Sequence, residues 1–329
     1  MSKKIVLITG TSLVLPEAHQ LVRDRGYEVR HVDRDQFTVD ELHDALDGVA
    51  GYLIGGYEEP LAVHFERAKD LEAAAWVGTD YKAYVPGWKK GWELGVAFLN
   101  SPGTNATSVA EFSILLALTM MRPFVGRVVT AEATPTAMDS PGHDLAGHTL
   151  GILGLGRIGA RVAHIASNGF GMQTCYSAPR RNEPLEHSLG ISYVSKESML
   201  EQSDVISLHR PGPSENEGPE LDREQFEIIR DGAVLVNTAH HNLVDLDSLL
   251  WAANNRSVRA AFDGVSEGPA WDRLVELGPH RFLSVPSMAF NSSDANLRAS
   301  LRTASGVCDV LDGGSNPDVN NPDFRSLRN

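Results

Sequence analysis

Short apolar runs of strand length alternate with helix-length segments along most of the chain, and this alternation predicts an α/β fold built on doubly wound parallel sheets. Three observations carry the expectation. First, the segment HTLGILGLGRIG, residues 148–159, passes from an apolar run into glycines at Gly154, Gly156 and Gly159. Second, strand-like runs separated by helical stretches follow it. Third, residues 1–100 show the same alternation before it, so the 329 residues read as two domains with apolar material for two cores.

Taken in order, residues 4–9 read as a strand, 17–25 as a helix ended by Gly26, and 28–32 as a second strand. Residues 38–46 are helical, and 49–54 form an apolar strand that runs directly into Gly55 and Gly56. Residues 62–75 continue the alternation, and 76–79 and 96–100 supply short strands. The early ITGTS, residues 8–12, lacks the later glycines of a nucleotide loop and is discounted. A capping box, Ser108 with Glu111, starts a helix that runs to Met121, where Arg122 and Pro123 stop it. The polar stretch 130–147 reads as a surface connection. Strands follow at 149–153, 173–177, 191–194, 205–209, 233–237, 258–262 and 282–285. A long helix over 294–311 is closed by Gly313 and Gly314. The tail, rich in Asn, Pro and Asp, is expected to pack late or not at all.

The totals exclude several classes. A net charge of −14 disfavours nucleic acid and anionic membranes, so an anionic ligand must be held by local cations and amides against the global field. Two cysteines, Cys175 and Cys308, lie far apart in apolar surroundings, which suits core thiols in a reducing, cytoplasmic compartment. No signal peptide is expected ahead of the first strand, and the longest apolar stretch, 112–121, is too short to span a bilayer.

The chemistry concentrates at the glycines. Residues 149–153 can form a buried strand, Gly154 the tight turn, and Gly156 a point where backbone approaches a pyrophosphate closely. Gly159 lets the next helix pack on the strand, and the amides opening that helix face the phosphates. The helix, residues 157–167, carries Ile158, Val162 and Ile165 on one side, and the strand at 173–177 completes a βαβ unit. The alternative is a glycine-rich turn in some other α/β protein.

Five segments together resemble the D-2-hydroxyacid dehydrogenase family: LNSPGTNATSVAEFSILLAL (99–118), HTLGILGLGRIGARVA (148–163), SDVISLHRPGP (203–213), GAVLVNTAHHNLVDLDSLL (232–250) and AAFDGVSEGP (260–269). The resemblance implies a Rossmann nucleotide domain, residues 104–290, and a discontinuous flavodoxin-like substrate domain, residues 1–103 with 291–329. It also implies an active site in the cleft between them and a homodimer. Its acidic ribose-binding residue is replaced here by Ala178, followed by Pro179, Arg180 and Arg181. Loss of a carboxylate and gain of guanidinium groups suits a 2′-phosphate, so NADP(H) is expected over NAD(H). The alternative is a solvated arginine pair. Carried over residue by residue, Arg157 and Ile158 offer amides to the pyrophosphate, His209 and Pro211 lie beside the adenosine half, Thr238 ends the next strand, and Asp263 meets the nicotinamide amide. His209 as a strand cap and Asp263 as a turn residue are the structural alternatives.

The resemblance fails where the family keeps its reacting side chains. The arginine position of its NTARG-like segment reads NTAHH here, with His240 and His241. The acid position holds Gly268, with Glu267 one place earlier, and the histidine position holds Ser287. Loss of the arginine fork weakens carboxylate recognition, and serine at 287 is a poor acid or base at neutral pH without an activating neighbour. Two replacements are conceivable. In one, His240 becomes the general acid and base, oriented by Glu267, while Ser287 and Asn291 donate to substrate. In the other, the chain is a catalytically silent dinucleotide-binding homologue, and simple loop histidines at 240 and 241 are the structural alternative to both. No metal site is expected, because adjacent histidines should point apart. Gly55 and Gly56 are expected to bind an anionic substrate through backbone amides, with the Tyr57 hydroxyl beside them. Trp88 and Trp92, four apart in YKAYVPGWKKGW, suit an apolar helix face or a lid. The expected function is an NADP(H)-dependent oxidoreductase acting on a small oxo or hydroxy substrate with atypical acid–base residues.

Overall fold

The computed structural model describes residues 3–122, 124–125, 141–213 and 217–328. These divide into two compact units, one of Met1–Asn105 with Asn291–Asn329 and one of Ala106–Phe290.

In the first unit five parallel strands stand in the order β2-β1-β3-β4-β5: β1 Ile5–Thr9, β2 Glu28–Val32, β3 Val49–Ile54, β4 Ala73–Trp76 and β5 Ala97–Leu99. Helices α1 Pro16–Asp24, α2 Val39–Leu46, α3 Ala62–Arg67, α4 Tyr81–Tyr84 and α5 Trp88–Glu93 connect them, and a long helix, Ser293–Leu311, returns to the unit. The two-residue period of a strand sorts side chains to opposite faces. Val6 and Ile8 meet Val307 and Cys308 of the long helix, while Leu7 meets Leu42, Tyr52 and Phe98. Burial on both faces explains why β3 is apolar throughout.

Three expectations need correction here. The strand expected over 76–79 lies earlier, at Ala73–Trp76. Ala73 and Ala75 pack with Val307 and Cys308 of the long helix, and small side chains are what a strand needs when a helix lies on it closely. The helix expected to start at Ser108 begins at Ala106, so Ser108 lies within its first turn rather than at its cap. The tail packs firmly. Asn321 accepts the Phe98 amide at 2.8 Å and donates to the Val96 carbonyl at 2.8 Å, while Val319 pairs antiparallel with Leu99. The polar side chains that made the tail look loose supply backbone-like groups to the exposed edge of β5. Residues 130–140 of the expected surface connection lie outside the described residues.

The second unit is a seven-stranded parallel sheet in the order β12-β11-β10-β9-β6-β7-β8. Its strands are β6 Thr149–Leu153, β7 Gln173–Ser177, β8 Ser192–Tyr193, β9 Val205–Leu208, β10 Val234–Asn237, β11 Arg259–Asp263 and β12 Phe282–Val285. Helices α6 Ala106–Met121 and α7 Arg157–Phe170 pack on one face, with Ile114, Ala117, Val162 and Ala166 in the core. Helices α8 Glu183–Leu189, α9 Lys196–Gln202, α10 Arg223–Ile228, α11 Leu246–Asn255 and α12 Pro269–Glu276 complete the unit. From β6 the chain first runs outward through β7 and β8, then returns to β9 on the other side of β6. The strand order therefore reverses between β6 and β9, the point at which open parallel sheets bind ligands at their carboxyl ends. Among the described residues, no helix is long and apolar enough to cross a membrane.

Candidate active site

The three loop glycines sit at that reversal, and they are glycine for different reasons. Gly154 has φ of +100°, and a Cβ there would stand 2.7 Å from the carbonyl oxygen of His209. A Cβ at Gly159 would collide with the carbonyl oxygen of Gly154, so this residue sets the close packing of α7 on β6. Gly156 has an ordinary φ of −89° and open space around its Cβ position. Neither backbone nor packing demands glycine at 156. It is the N-cap of α7 and makes no side-chain cap, so the first-turn amides, including those of the exposed Arg157 and half-buried Ile158, lack the usual cap partner. An opening of this kind suits a phosphate.

After β7, the pair Arg180 and Arg181 divides. Arg181 grips Glu186 of α8 through two nitrogens, Nε to Oε1 at 2.9 Å and Nη2 to Oε2 at 2.8 Å. Tyr176 donates to the same carboxylate at 2.8 Å. The Arg181 guanidinium holds the Glu186 carboxyl below the usual range. Of the two guanidinium groups expected at a 2′-phosphate, Arg181 is thus paired with Glu186 while its side chain stays 55% exposed, and Arg180 is exposed beside it.

The ends of β9 and β10 meet through a glycine. A Cβ at Gly212 would lie 3.0 Å from Cγ of His240, so the imidazole rests against the backbone of the β9 loop. His209 is hydrogen-bonded to Ser207, Nε2 to Oγ at 2.8 Å, and burial pushes its imidazole down to about 3, leaving it neutral at physiological pH. Pro211 is exposed beside it. Asn237, a buried residue missed in the sequence, shapes the β10 loop by accepting the Ala239 amide at 3.0 Å and donating to the His240 carbonyl at 3.2 Å. Nδ1 of His240 accepts the Asn242 amide at 3.3 Å, which leaves Nε2 as the protonated nitrogen of the neutral ring.

Two expectations about His240 are corrected. Its ring does not point away from His241: the two stack with centroids 4.5 Å apart at 30°. The 3₁₀ turn His241–Leu243 begins there and departs from the extended alternation that would have separated them. Nor does Glu267 orient His240. Among the described residues no hydrogen bond joins them, and Glu267 lines a cavity of about 680 Å³ with Asn242, Asp245 and Asp247. No group of three potential metal ligands is found among the described residues.

At the ends of β11 and β12, Asp263 accepts the Met288 amide at 2.7 Å on one oxygen and the Ala289 amide at 3.1 Å on the other. Burial raises its carboxyl above the usual range, against the opposing effect of the two amides. Asp263 thereby fixes the loop that carries the exposed Ser287, whose Oγ is 3.7 Å from the position of a Gly264 Cβ. Thr238, the residue that follows β10, is hydrogen-bonded through Oγ1 to Ser113 of α6 at 2.9 Å.

In the first unit the expected anion cradle is closed. Gly55 and Gly56 are buried, the Gly55 amide donates to the Thr9 hydroxyl at 3.3 Å, and the Tyr57 amide donates to the Asp35 carbonyl at 2.7 Å. Glu58 fills the turn from inside. Its Oε1 accepts from Thr9 and, at 2.8 Å, from Tyr52. Burial raises this carboxyl. The Tyr57 side chain points to solvent, 70% exposed. Asn291 accepts from the Asn296 side-chain amide through its Oδ1 at 2.9 Å. Trp88 and Trp92 meet edge to face at 5.0 Å and pack on the core of their own unit, the helix-face alternative.

Reversed strand order, a glycine loop opening α7 and polar residues gathered at the strand ends define a dinucleotide-binding α/β protein. The family model described as D-isomer specific 2-hydroxyacid dehydrogenase, NAD binding domain, matches residues 112–289. The chain is 31% identical over 272 residues to a glyoxylate reductase of Korarchaeum cryptofilum, covering 80% of each. It is 28% identical over 291 residues to a hydroxypyruvate reductase of Thermotoga maritima, covering 87% of this chain and 92% of the relative. The structure of Escherichia coli D-lactate dehydrogenase superposes with a TM-score of 0.79 at 23% identity, covering 95% and 99% of the two chains, a likeness of fold. The chain belongs to the D-isomer specific 2-hydroxyacid dehydrogenase family. It is an NAD(P)-dependent oxidoreductase acting on CH–OH groups, and these findings do not favour the catalytically silent alternative.

Proposed function

We propose that this protein reduces a small 2-oxo anion, or oxidises the matching 2-hydroxy acid, with NADP(H) preferred and His240 supplying or taking the proton. The observation that carries the reading is Gly156, a glycine with ordinary backbone and empty surroundings at the uncapped start of α7. A ligand that must approach the backbone closely is the remaining reason for it. The arrangement suits a dinucleotide whose pyrophosphate lies on the amides of Gly156, Arg157 and Ile158, with Gly154 and Gly159 shaping the loop.

Bound there, the coenzyme would supply the hydride. His209 and Pro211 would flank the adenosine half, and Asp263 and Thr238 the nicotinamide. NADP(H) preference is supported by Ala178, which carries no carboxylate to repel a 2′-phosphate, and by the exposed Arg180. His240 offers an Nε2–H donor from a ring held between Gly212 and His241, while Ser287 can donate a hydrogen bond. The named activities of the relatives support a 2-oxo acid as substrate. The two buried free cysteines suit a cytoplasmic setting, and the family resemblance supports a homodimer.

The test is NADPH consumption with glyoxylate, hydroxypyruvate and a panel of other 2-oxo acids. Turnover by the wild type, with kcat lowered about 10²- to 10⁴-fold in His240→Ala, is expected. Unchanged turnover in that variant, or none by the wild type, contradicts the proposal. Arg180→Asp should shift preference toward NADH, measured as the ratio of the two affinities.

A further inference from the structure

Beside Glu58 the first unit holds a cavity of about 260 Å³. Its floor is buried and consists of Leu42, the His64 ring and Glu58, which is 3% exposed. Gln36, Val39, Tyr57 and Glu59 stand exposed around the mouth, and the half-buried Phe37 and Leu61 line the wall. Of the two buried polar side chains, His64 is satisfied: Nδ1 accepts the Leu61 amide at 2.9 Å, and Nε2 lies 3.0 Å from the Val39 carbonyl oxygen. Glu58 is satisfied on one side only. Its Oε1 accepts from Thr9 and Tyr52, whereas Oε2 is buried without a hydrogen-bond partner among the described residues. A Cβ at Gly56 would collide with Oε2, so glycine keeps the space beside this oxygen. Burial raises the carboxyl against the pull of Thr9, Tyr52 and the nearby Gly56 and Glu58 amides, and no cation is among the groups that act on it. A buried acceptor left without a donor is costly, and a ligand that brings one relieves that cost.

We infer that this cavity is a binding site for a small primary ammonium compound with a short apolar body, held by an N–H bond to Glu58 Oε2. An ammonium carries donors and no acceptor, which suits an orphan acceptor, and its charge keeps the carboxyl ionised. The sign of the ligand follows from the lining. Glu58 on the floor and Glu59 at the mouth disfavour an anion, and Arg34, two residues before Gln36, is committed to Glu41 at 2.9 Å and lies over the Phe37 ring. The apolar body follows from Phe37, Leu42 and Leu61, which offer it contact away from water. A metal ion does not fit, because no group of three potential metal ligands occurs among the described residues. The inference is independent of the coenzyme reading.

The experiment is calorimetric titration of the full chain, without coenzyme, with n-butylammonium chloride, and with butyramide and butyrate as its neutral and anionic counterparts. The wild type is expected to bind the ammonium compound more tightly than either counterpart. Glu58→Gln keeps an oxygen for Thr9 and Tyr52 but sets an NH₂ group in place of the free oxygen, and it should weaken binding at least about 10-fold, as loss of one hydrogen bond to a charged group does. Val39→Trp narrows the mouth from an exposed position and leaves the carboxyl untouched, so it should weaken binding while the protein still unfolds at the wild-type midpoint. This second variant decides the matter if Glu58→Gln does not fold. Absence of ammonium binding by the wild type overturns the inference, as does tighter binding of butyramide or butyrate. Unchanged affinity in Val39→Trp or in folded Glu58→Gln overturns it too.

Discussion

A neutral, half-buried imidazole beside the glycine loop has a measurable consequence for stability. The His209 ring is held down to about 3 by burial, whereas an unfolded histidine titrates near the ordinary value of 6.5. Between those values the unfolded chain binds the extra proton, so stability falls as pH drops through that window, by up to about 1.4 kcal/mol per pH unit. Chemical unfolding of wild type and His209→Gln from pH 7 to 4 should show a steeper decline in the wild type. Parallel curves would remove His209 from the account. Residue identities at the strand ends were legible in the sequence, because glycines and polar residues interrupt apolar runs there. Their partners were not. Nothing in the order of residues showed that Glu186 would take Arg181, that Glu58 would close the turn at Gly55 and Gly56, or that Asn242 rather than Glu267 would orient His240. Each of those pairings depends on how a turn folds back, and side-chain type alone does not determine that.

At the scale of elements, strands and helices follow from period and punctuation. The βαβ unit around Gly154 was readable because its strand, turn and helix obey one pattern over a short span. Gly159 locks that unit. Alanine there would drive a methyl group into the Gly154 carbonyl, and thermal unfolding should report about 1–3 kcal/mol of lost stability with weakened coenzyme binding. A fully stable Gly159→Ala protein would show that α7 does not need this close approach. The C-terminal tail was misread for the opposite reason. Its contacts are long-range and polar, and Asn321 serves Phe98 and Val96 across more than two hundred residues. Asn321→Ala leaves a buried amide and a buried carbonyl unpaired, each worth about 1–3 kcal/mol. Urea unfolding of the variant should therefore show a clear drop in midpoint, and an unchanged midpoint would mean the tail is not part of the folded core.

Over the whole molecule, a chain of net charge −14 that takes a dinucleotide has to hold it by local cations and amides against its own field. Two α/β units with their own cores were legible from alternation alone, since every strand buried on both faces needs an unbroken apolar run. The function was legible only as far as the glycine loop and the family resemblance reach, because His240, Gly268 and Ser287 stand where the resembled family keeps its reacting side chains. The most direct measurement is calorimetric titration of wild type and Gly156→Val with NADPH and NADH, alongside their unfolding temperatures. A Cβ at this position meets nothing within 4 Å, so the variant should melt close to the wild type yet bind coenzyme at least about 10-fold more weakly. Equal coenzyme affinity in the two proteins would contradict the account, as would failure of the wild type to bind either coenzyme.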